Sequence, residues 1–83
     1  MKKIILNNFG DEQEMKFIDW DAQKPIDNQV LIKHMAFGVN FIDIYQRTGL
    51  YPLNLPSRLG LEASGIVEEI GEKVEEFKKG DRV

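Results

Sequence analysis

The 83-residue sequence contains no cysteine and a single histidine, His34. The absence of cysteine excludes a disulfide, a thiolate zinc site and a cysteine nucleophile. One histidine excludes a metal site built on a histidine pair, and we expect no metal site. No apolar run approaches the roughly 18 residues that a membrane span requires, and the N-terminus lacks the apolar stretch of a secretory signal. We therefore expect a cytoplasmic protein with no membrane span.

Basic charge is also scarce. Eleven Lys and Arg residues stand against 14 Asp and Glu residues, which gives a formal net charge of −3. This balance argues against nucleic-acid binding, which usually depends on clustered basic residues. The hydrophobic fraction of 42% is typical of a globular chain, and the length suffices for one small domain of marginal stability.

The two ends of the chain differ in character. Met1 leads directly into an apolar strand, whereas residues 79–82 predict a turn and Val83 is the first apolar residue of a further strand. We therefore expect the chain to be a fragment of a longer protein. The uncovered strand edges and apolar surface of such a fragment favour self-association, domain exchange or partial disorder.

Hydrophobic patterning predicts several short strands. They lie at residues 2–7, 15–20, 29–37 and 62–70. Imperfect alternation in the second strand leaves room for a bulge, and Gly65 inside the last strand indicates a bulge, a bend or a close backbone approach. Short strands with glycine turns are typical of a small, strongly curved β-barrel or sandwich.

A short helix is predicted over residues 40–48, because Phe41, Ile44 and Tyr45 follow helical spacing. Asn40 is a suitable N-cap, and Gly49 is placed to end the helix in a left-handed conformation. Asp43 lies where a capping-box acid would be. Capping is the favoured interpretation of Asn40 and Asp43, and it is compatible with hydrogen bonding to a ligand at the helix entrance.

Two phenols lie close together in sequence, Tyr45 on the helix and Tyr51 in the loop after it. Their hydroxyl groups could donate hydrogen bonds above an aromatic surface, which suits a planar carbonyl compound. Packing of the ring is the favoured alternative for Tyr45, while both interpretations stay open for Tyr51. His34 is interpreted as a packed or solvated histidine, since no nucleophile lies at a recognisable spacing from it. The sequence has no nucleotide-phosphate motif.

Two segments resemble a known family. Residues 38–52, GVNFIDIYQRTGLYP, closely resemble the signature of the zinc-free quinone oxidoreductases, the zeta-crystallin-like members of the medium-chain dehydrogenase/reductase superfamily. Residues 59–71, LGLEASGIVEEIG, and residues 80–83, GDRV, resemble the next conserved block of that superfamily. Residues 9–28 match only loosely, and Gly10-Asp11 replaces the glycine–proline pair of the family.

The resemblance implies a mainly β fold with one short helix. Residues 1–83 would form the N-terminal part of a GroES-like barrel, the catalytic domain, and the Rossmann domain that binds the nicotinamide cofactor would lie outside this chain. It also implies hydride transfer from NADPH to a quinone by a parent protein that is a homodimer. The preference for NADPH over NADH comes from the family alone, and the isolated chain is expected to be inactive.

The zinc-dependent relatives carry a cysteine ligand where this chain has Asn40, and a His-Glu pair where it has Leu61-Glu62. Leucine cannot ligate, and a neutral amide is a poor substitute for a thiolate on zinc. The comparison therefore implies a zinc-free site. Such a site suits acceptors that take hydride easily and delocalise the resulting charge, as a quinone does.

The resemblance also assigns roles to individual residues. Tyr45 and Tyr51 would line the quinone side of the cleft as the catalytic pair, and Asn40 and Phe41 would contact the cofactor. Asp43, Arg47 and Glu62 would organise the surroundings of the site. Two alternatives remain: a related zinc-free reductase of enones or enoyl thioesters, and a non-catalytic GroES-like barrel that only binds.

Overall fold

The strands pair two by two in the computed structural model, which describes residues 1–83. The elements in order are β1 (Lys2–Leu6), a 3₁₀ turn (Glu12–Glu14), β2 (Met15–Asp19), β3 (Val30–Phe37), α1 (Phe41–Thr48) and β4 (Ala63–Ile70). β1 pairs with β2, and β3 pairs with β4, both antiparallel. The predicted mainly β fold with one short helix is confirmed. The four strands form two two-stranded sheets and no closed barrel, as expected of the N-terminal part of one.

The chain divides into two compact units. The first unit comprises Met1–Asp21 and Gly38–Leu61, and the second comprises Ala22–Phe37 and Glu62–Val83. Each unit contains one sheet and one fully buried apolar side chain, Leu6 in the first and Val67 in the second. No helix of the chain has the length and apolar character needed to cross a membrane.

In the first unit, β1 and β2 keep a continuous register in which Ile4 lies opposite Phe17. The bulge considered for the second strand is therefore absent, and its imperfect alternation arises because both faces of the hairpin carry apolar residues. On the other edge of β1, Leu6 exchanges two backbone hydrogen bonds with Ser57, of 2.8 and 2.9 Å. These bonds fix the loop that follows α1.

The loop between β1 and β2 contains the 3₁₀ turn, which the sequence pattern did not predict. Asp11 caps this turn, and its Oδ1 accepts a hydrogen bond of 3.0 Å from the backbone N–H of Gln13. The signal is visible in retrospect, because a short acidic residue before three polar residues is a common N-cap.

In the second unit, bulges interrupt the β3–β4 pairing between Leu31 and Ile32 and between His34 and Ala36. The burial of β3 does not alternate as expected: its first three residues are half-buried and the following five are exposed. Gly65 is a position of close approach, since a Cβ there would lie 2.3 Å from the carbonyl oxygen of Lys33. Val83 exchanges two 2.9 Å backbone hydrogen bonds with Gly65 and so lies along the other edge of β4.

Candidate functional site

Helix α1 carries most of the candidate residues and begins as the sequence predicts. Asn40 is the N-cap, with an extended backbone, and the carboxylate of Asp43 accepts a hydrogen bond of 2.9 Å from the backbone N–H of Asn40. The helix ends at Gly49, whose φ of +89° is the left-handed conformation expected of it. Local capping chemistry therefore sets both ends of the helix.

Three of the predicted site residues form an aromatic cluster. The rings of Phe41 and Tyr45 are nearly parallel with centroids 6.5 Å apart, and the ring of Tyr51 meets that of Tyr45 edge-on at 5.4 Å. The backbone N–H of Tyr51 donates a 3.1 Å hydrogen bond to the carbonyl of Tyr45, which brings the loop back onto the helix. We call Phe41, Tyr45 and Tyr51 the aromatic cluster.

The aromatic cluster is accessible to a ligand. Phe41 is 74% exposed, Tyr51 is 53% exposed and Tyr45 is 36% exposed. Tyr45 therefore packs against its neighbours without being enclosed, so the packing and ligand-binding interpretations of this residue are compatible. Aromatic rings in this arrangement offer one face for stacking and phenol hydroxyls for hydrogen bonding.

A pocket lies at the start of α1. It is lined by Val39, Asn40, Phe41 and Ile44, and its volume is about 330 Å³. This volume lies at the lower end of the roughly 300–1,000 Å³ of small-molecule pockets, so the pocket suits a small group rather than a complete dinucleotide. Three apolar side chains and one amide therefore line this pocket.

The remaining predicted residues surround this region in different ways. One oxygen of Asp43 serves the helix cap, while its other oxygen, Oδ1, is buried without a hydrogen-bond partner. The side chain of Arg47 bonds to the loop after β1 rather than to the aromatic cluster. Glu62 belongs to the second unit, and His34 lies in β3 of that unit opposite Gly65.

The structure holds no group of three or more His, Cys, Asp or Glu residues that could bind a metal ion. At the two positions compared above with zinc ligands, the chain presents the amide of Asn40 and the alkyl side chain of Leu61. Neither is a group that zinc prefers.

Sequence reasoning missed the attachment of α1 to the loop after β1. Gly10 and Arg47 exchange hydrogen bonds of 3.0 and 3.1 Å across 37 positions of sequence. No local pattern indicates a pairing over such a separation. The only signal was the presence of glycine at positions 10 and 49, where the chain bends tightly.

Comparisons with known proteins agree with this geometry. The profile of the family described as "Alcohol dehydrogenase GroES-like domain" matches residues 26–83. Quinone oxidoreductase 1 of Escherichia coli is 40% identical over 82 residues, which cover 98% of this chain and 25% of that protein. Quinone oxidoreductase of Sus scrofa is 48% identical over 87 residues, covering 100% of this chain and 26% of that protein.

Among solved structures, the crystal structure of Escherichia coli quinone oxidoreductase complexed with NADPH superimposes with a TM-score of 0.94 at 38% identity. The match covers 99% of this chain and 26% of that one. The chain thus spans about a quarter of the length of the relatives that it matches.

Proposed function

The chain belongs to the alcohol dehydrogenase GroES-like domain family, and on this premise we propose that it is part of a zinc-independent oxidoreductase that transfers hydride from NADPH to a quinone. The observation that carries the proposal is the edge-on pair of accessible phenols, Tyr45 and Tyr51, beside a small apolar pocket with one amide. The similarity to proteins described as quinone oxidoreductases supports it, as does the NADPH complex of one of them.

When bound, NADPH supplies the hydride, and the pocket at Asn40 and Phe41 is where this chain would hold its nicotinamide end. The ring of Phe41 and its neighbour Tyr45 offer a surface for a planar acceptor. The quinone gains the hydride and takes one proton from the solvent, and so becomes the hydroquinone. Hydroxyl groups of Tyr45 and Tyr51 would donate hydrogen bonds to its oxygens, where negative charge develops.

The donor chemistry of the chain supports independence from zinc. A quinone oxygen that delocalises its charge into a ring needs hydrogen-bond donors more than a Lewis acid, and the phenols are such donors. Asn40 and Leu61 stand where thiolate and imidazole ligands would be required. From the family resemblance we also propose a cytoplasmic, homodimeric parent protein.

The proposal is tested by NADPH oxidation in the complete gene product, with a benzoquinone, an enone and an enoyl thioester as acceptors. We expect the quinone to give the highest kcat/KM. Replacement of Tyr51 by phenylalanine should lower that value by about tenfold to a hundredfold, the loss expected for one donor to a developing oxyanion in an open site. Asn40→Ala should raise the KM for NADPH.

Asn54→Ala is the matched control, because Asn54 is an exposed amide of the same unit, in the loop after α1. This variant should leave both constants unchanged. Preference for the enone or thioester would favour the related reductase. The proposed function would be contradicted if the protein turned over none of the acceptors and if Tyr51→Phe and Asn40→Ala left NADPH binding as it is in the parent. That result would favour the binding barrel.

A further inference from the structure

The last turn of α1 is attached to the loop after β1 by a reciprocal pair of hydrogen bonds. The backbone N–H of Gly10 donates to the carbonyl of Arg47 at 3.0 Å, and the Nε–H of Arg47 donates back to the carbonyl of Gly10 at 3.1 Å. The second bond is partly buried. Two bonds between the same two residues fix both distance and orientation, which a single bond does not.

Packing reinforces this attachment near the end of the helix. A Cβ at Gly49 would lie 3.0–3.3 Å from three carbon atoms of the Phe9 side chain, so the ring covers the glycine directly. The φ of +89° at Gly49 independently disfavours any other residue. We call Phe9, Gly10, Arg47 and Gly49 the helix clamp.

The helix clamp holds the same end of α1 at which the two tyrosines lie. The carbonyl of Tyr45 accepts hydrogen bonds from the N–H of Tyr51 at 3.1 Å and from the hydroxyl of Thr48 at 3.2 Å. Arg47 and Gly49 lie between the two tyrosines in sequence. Any rotation of the last helical turn would therefore move one phenol relative to the other.

From these contacts we propose that Arg47 is a positioning residue for the phenol pair: its hydrogen bonds to Gly10 hold Tyr45 and Tyr51 in their edge-on arrangement. The inference rests on the proposed function for its catalytic consequence. The side chain bonds to a carbonyl rather than to a carboxylate, so its contribution is directional rather than that of an ion pair.

The test uses the complete gene product with Arg47→Met, which keeps the alkyl stem and removes the Nε–H donor, and Arg47→Lys, which keeps a donor. Arg58→Met is the control, because Arg58 is exposed in the loop of the same unit. We expect Arg47→Met to lower kcat for a quinone by about tenfold, the order of loss produced by displacing a catalytic group by a fraction of an ångström. The KM for NADPH should stay within about twofold in the same variant, since the turn moves the phenols and not the pocket.

Arg47→Lys should restore kcat to within about threefold of the parent, because its ammonium can still donate to the Gly10 carbonyl. Arg47→Met is then also introduced into the double variant Tyr45→Phe/Tyr51→Phe. If Arg47 acts through the phenols, Arg47→Met costs less than about twofold in that background. A full tenfold loss there would overturn the positioning role while leaving the proposed function intact.

Failure of the proposed function itself has a different signature, namely that replacing both tyrosines leaves quinone turnover unchanged. Hydrogen exchange then still decides the role of Arg47. The amides of residues 45–51 should exchange at least about fivefold faster in Arg47→Met, with those of β4 unaffected, since only the last helical turn is released. Unchanged exchange over residues 45–51 in Arg47→Met, or in Arg47→Leu if the first variant fails to fold, would overturn the inference, since both substitutions remove the donor to the Gly10 carbonyl.

Discussion

Substitution of Gly49 by alanine separates the two reasons why α1 ends where it does. The new residue must adopt a φ of +89°, which costs an L-residue about 1 kcal/mol. Its Cβ would also lie 3.0–3.3 Å from the Phe9 side chain, so the ring must shift by a few tenths of an ångström. Adding a strain of about 1 kcal/mol for such overpacking gives an expected total of about 2 kcal/mol.

Gly60→Ala is the matched control for this prediction. Gly60 has a φ of +104° and belongs to the same unit, but nothing lies within 4 Å of its hypothetical Cβ. It should therefore show the conformational cost alone, about 1 kcal/mol. The free energies of unfolding are compared by urea titration followed by far-ultraviolet circular dichroism. Equal losses for the two variants would refute the claim that Phe9 covers Gly49.

Three further predictions concern the rest of the chain. Gly65→Ala should destabilise the β3–β4 pair by about 3 kcal/mol, because the new Cβ would lie 2.3 Å from the Lys33 carbonyl oxygen. Hydrogen exchange of the β4 amides measures this loss, and protection equal to that of the parent would contradict the prediction. Leu6→Ala should lower the free energy of unfolding, measured in urea, by about 3 kcal/mol, since Leu6 is fully buried. A loss under about 1 kcal/mol would contradict this and show that Leu6 packs loosely. A polypeptide of residues 1–83 should self-associate in sedimentation experiments, because the large apolar side chains of Phe17, Phe37 and Phe41 are 70–74% exposed. A monomer at all concentrations would contradict this.

The parts of the fold that depend on local chemistry could be predicted from the sequence. Asn40 and Gly49 mark the ends of α1 because an amide cap and a left-handed glycine are requirements of a few neighbouring residues. The close approach at Gly65 is predictable in the same local way, because a glycine inside an apolar strand indicates a bulge, a bend or a nearby backbone. The family signature in residues 38–52 then added the roles of the tyrosines, which stay predictions.

Features that depend on distant pairing could not be predicted. The bulges in β3 arise from its register with β4, which is about 30 residues later in the chain, and the pattern of β3 alone suggested regular alternation. The Gly10–Arg47 pair links segments 37 residues apart, so no local spacing reveals it. The strands alone suggested a small curved barrel or sandwich, and the family resemblance restricted this to the first part of a barrel; the four strands accordingly pair two by two without closing.

The central claim is that phenol hydroxyls, and not a metal ion, stabilise the oxygen of the hydride acceptor. The most direct test compares quinone kcat/KM for the complete gene product and its Tyr45→Phe/Tyr51→Phe variant, each assayed before and after exhaustive chelation. The account predicts that chelation leaves the parent activity unchanged, whereas loss of both phenols lowers kcat/KM by about a hundredfold or more. Activity that disappears on chelation, returns with zinc and survives without the phenols would contradict it.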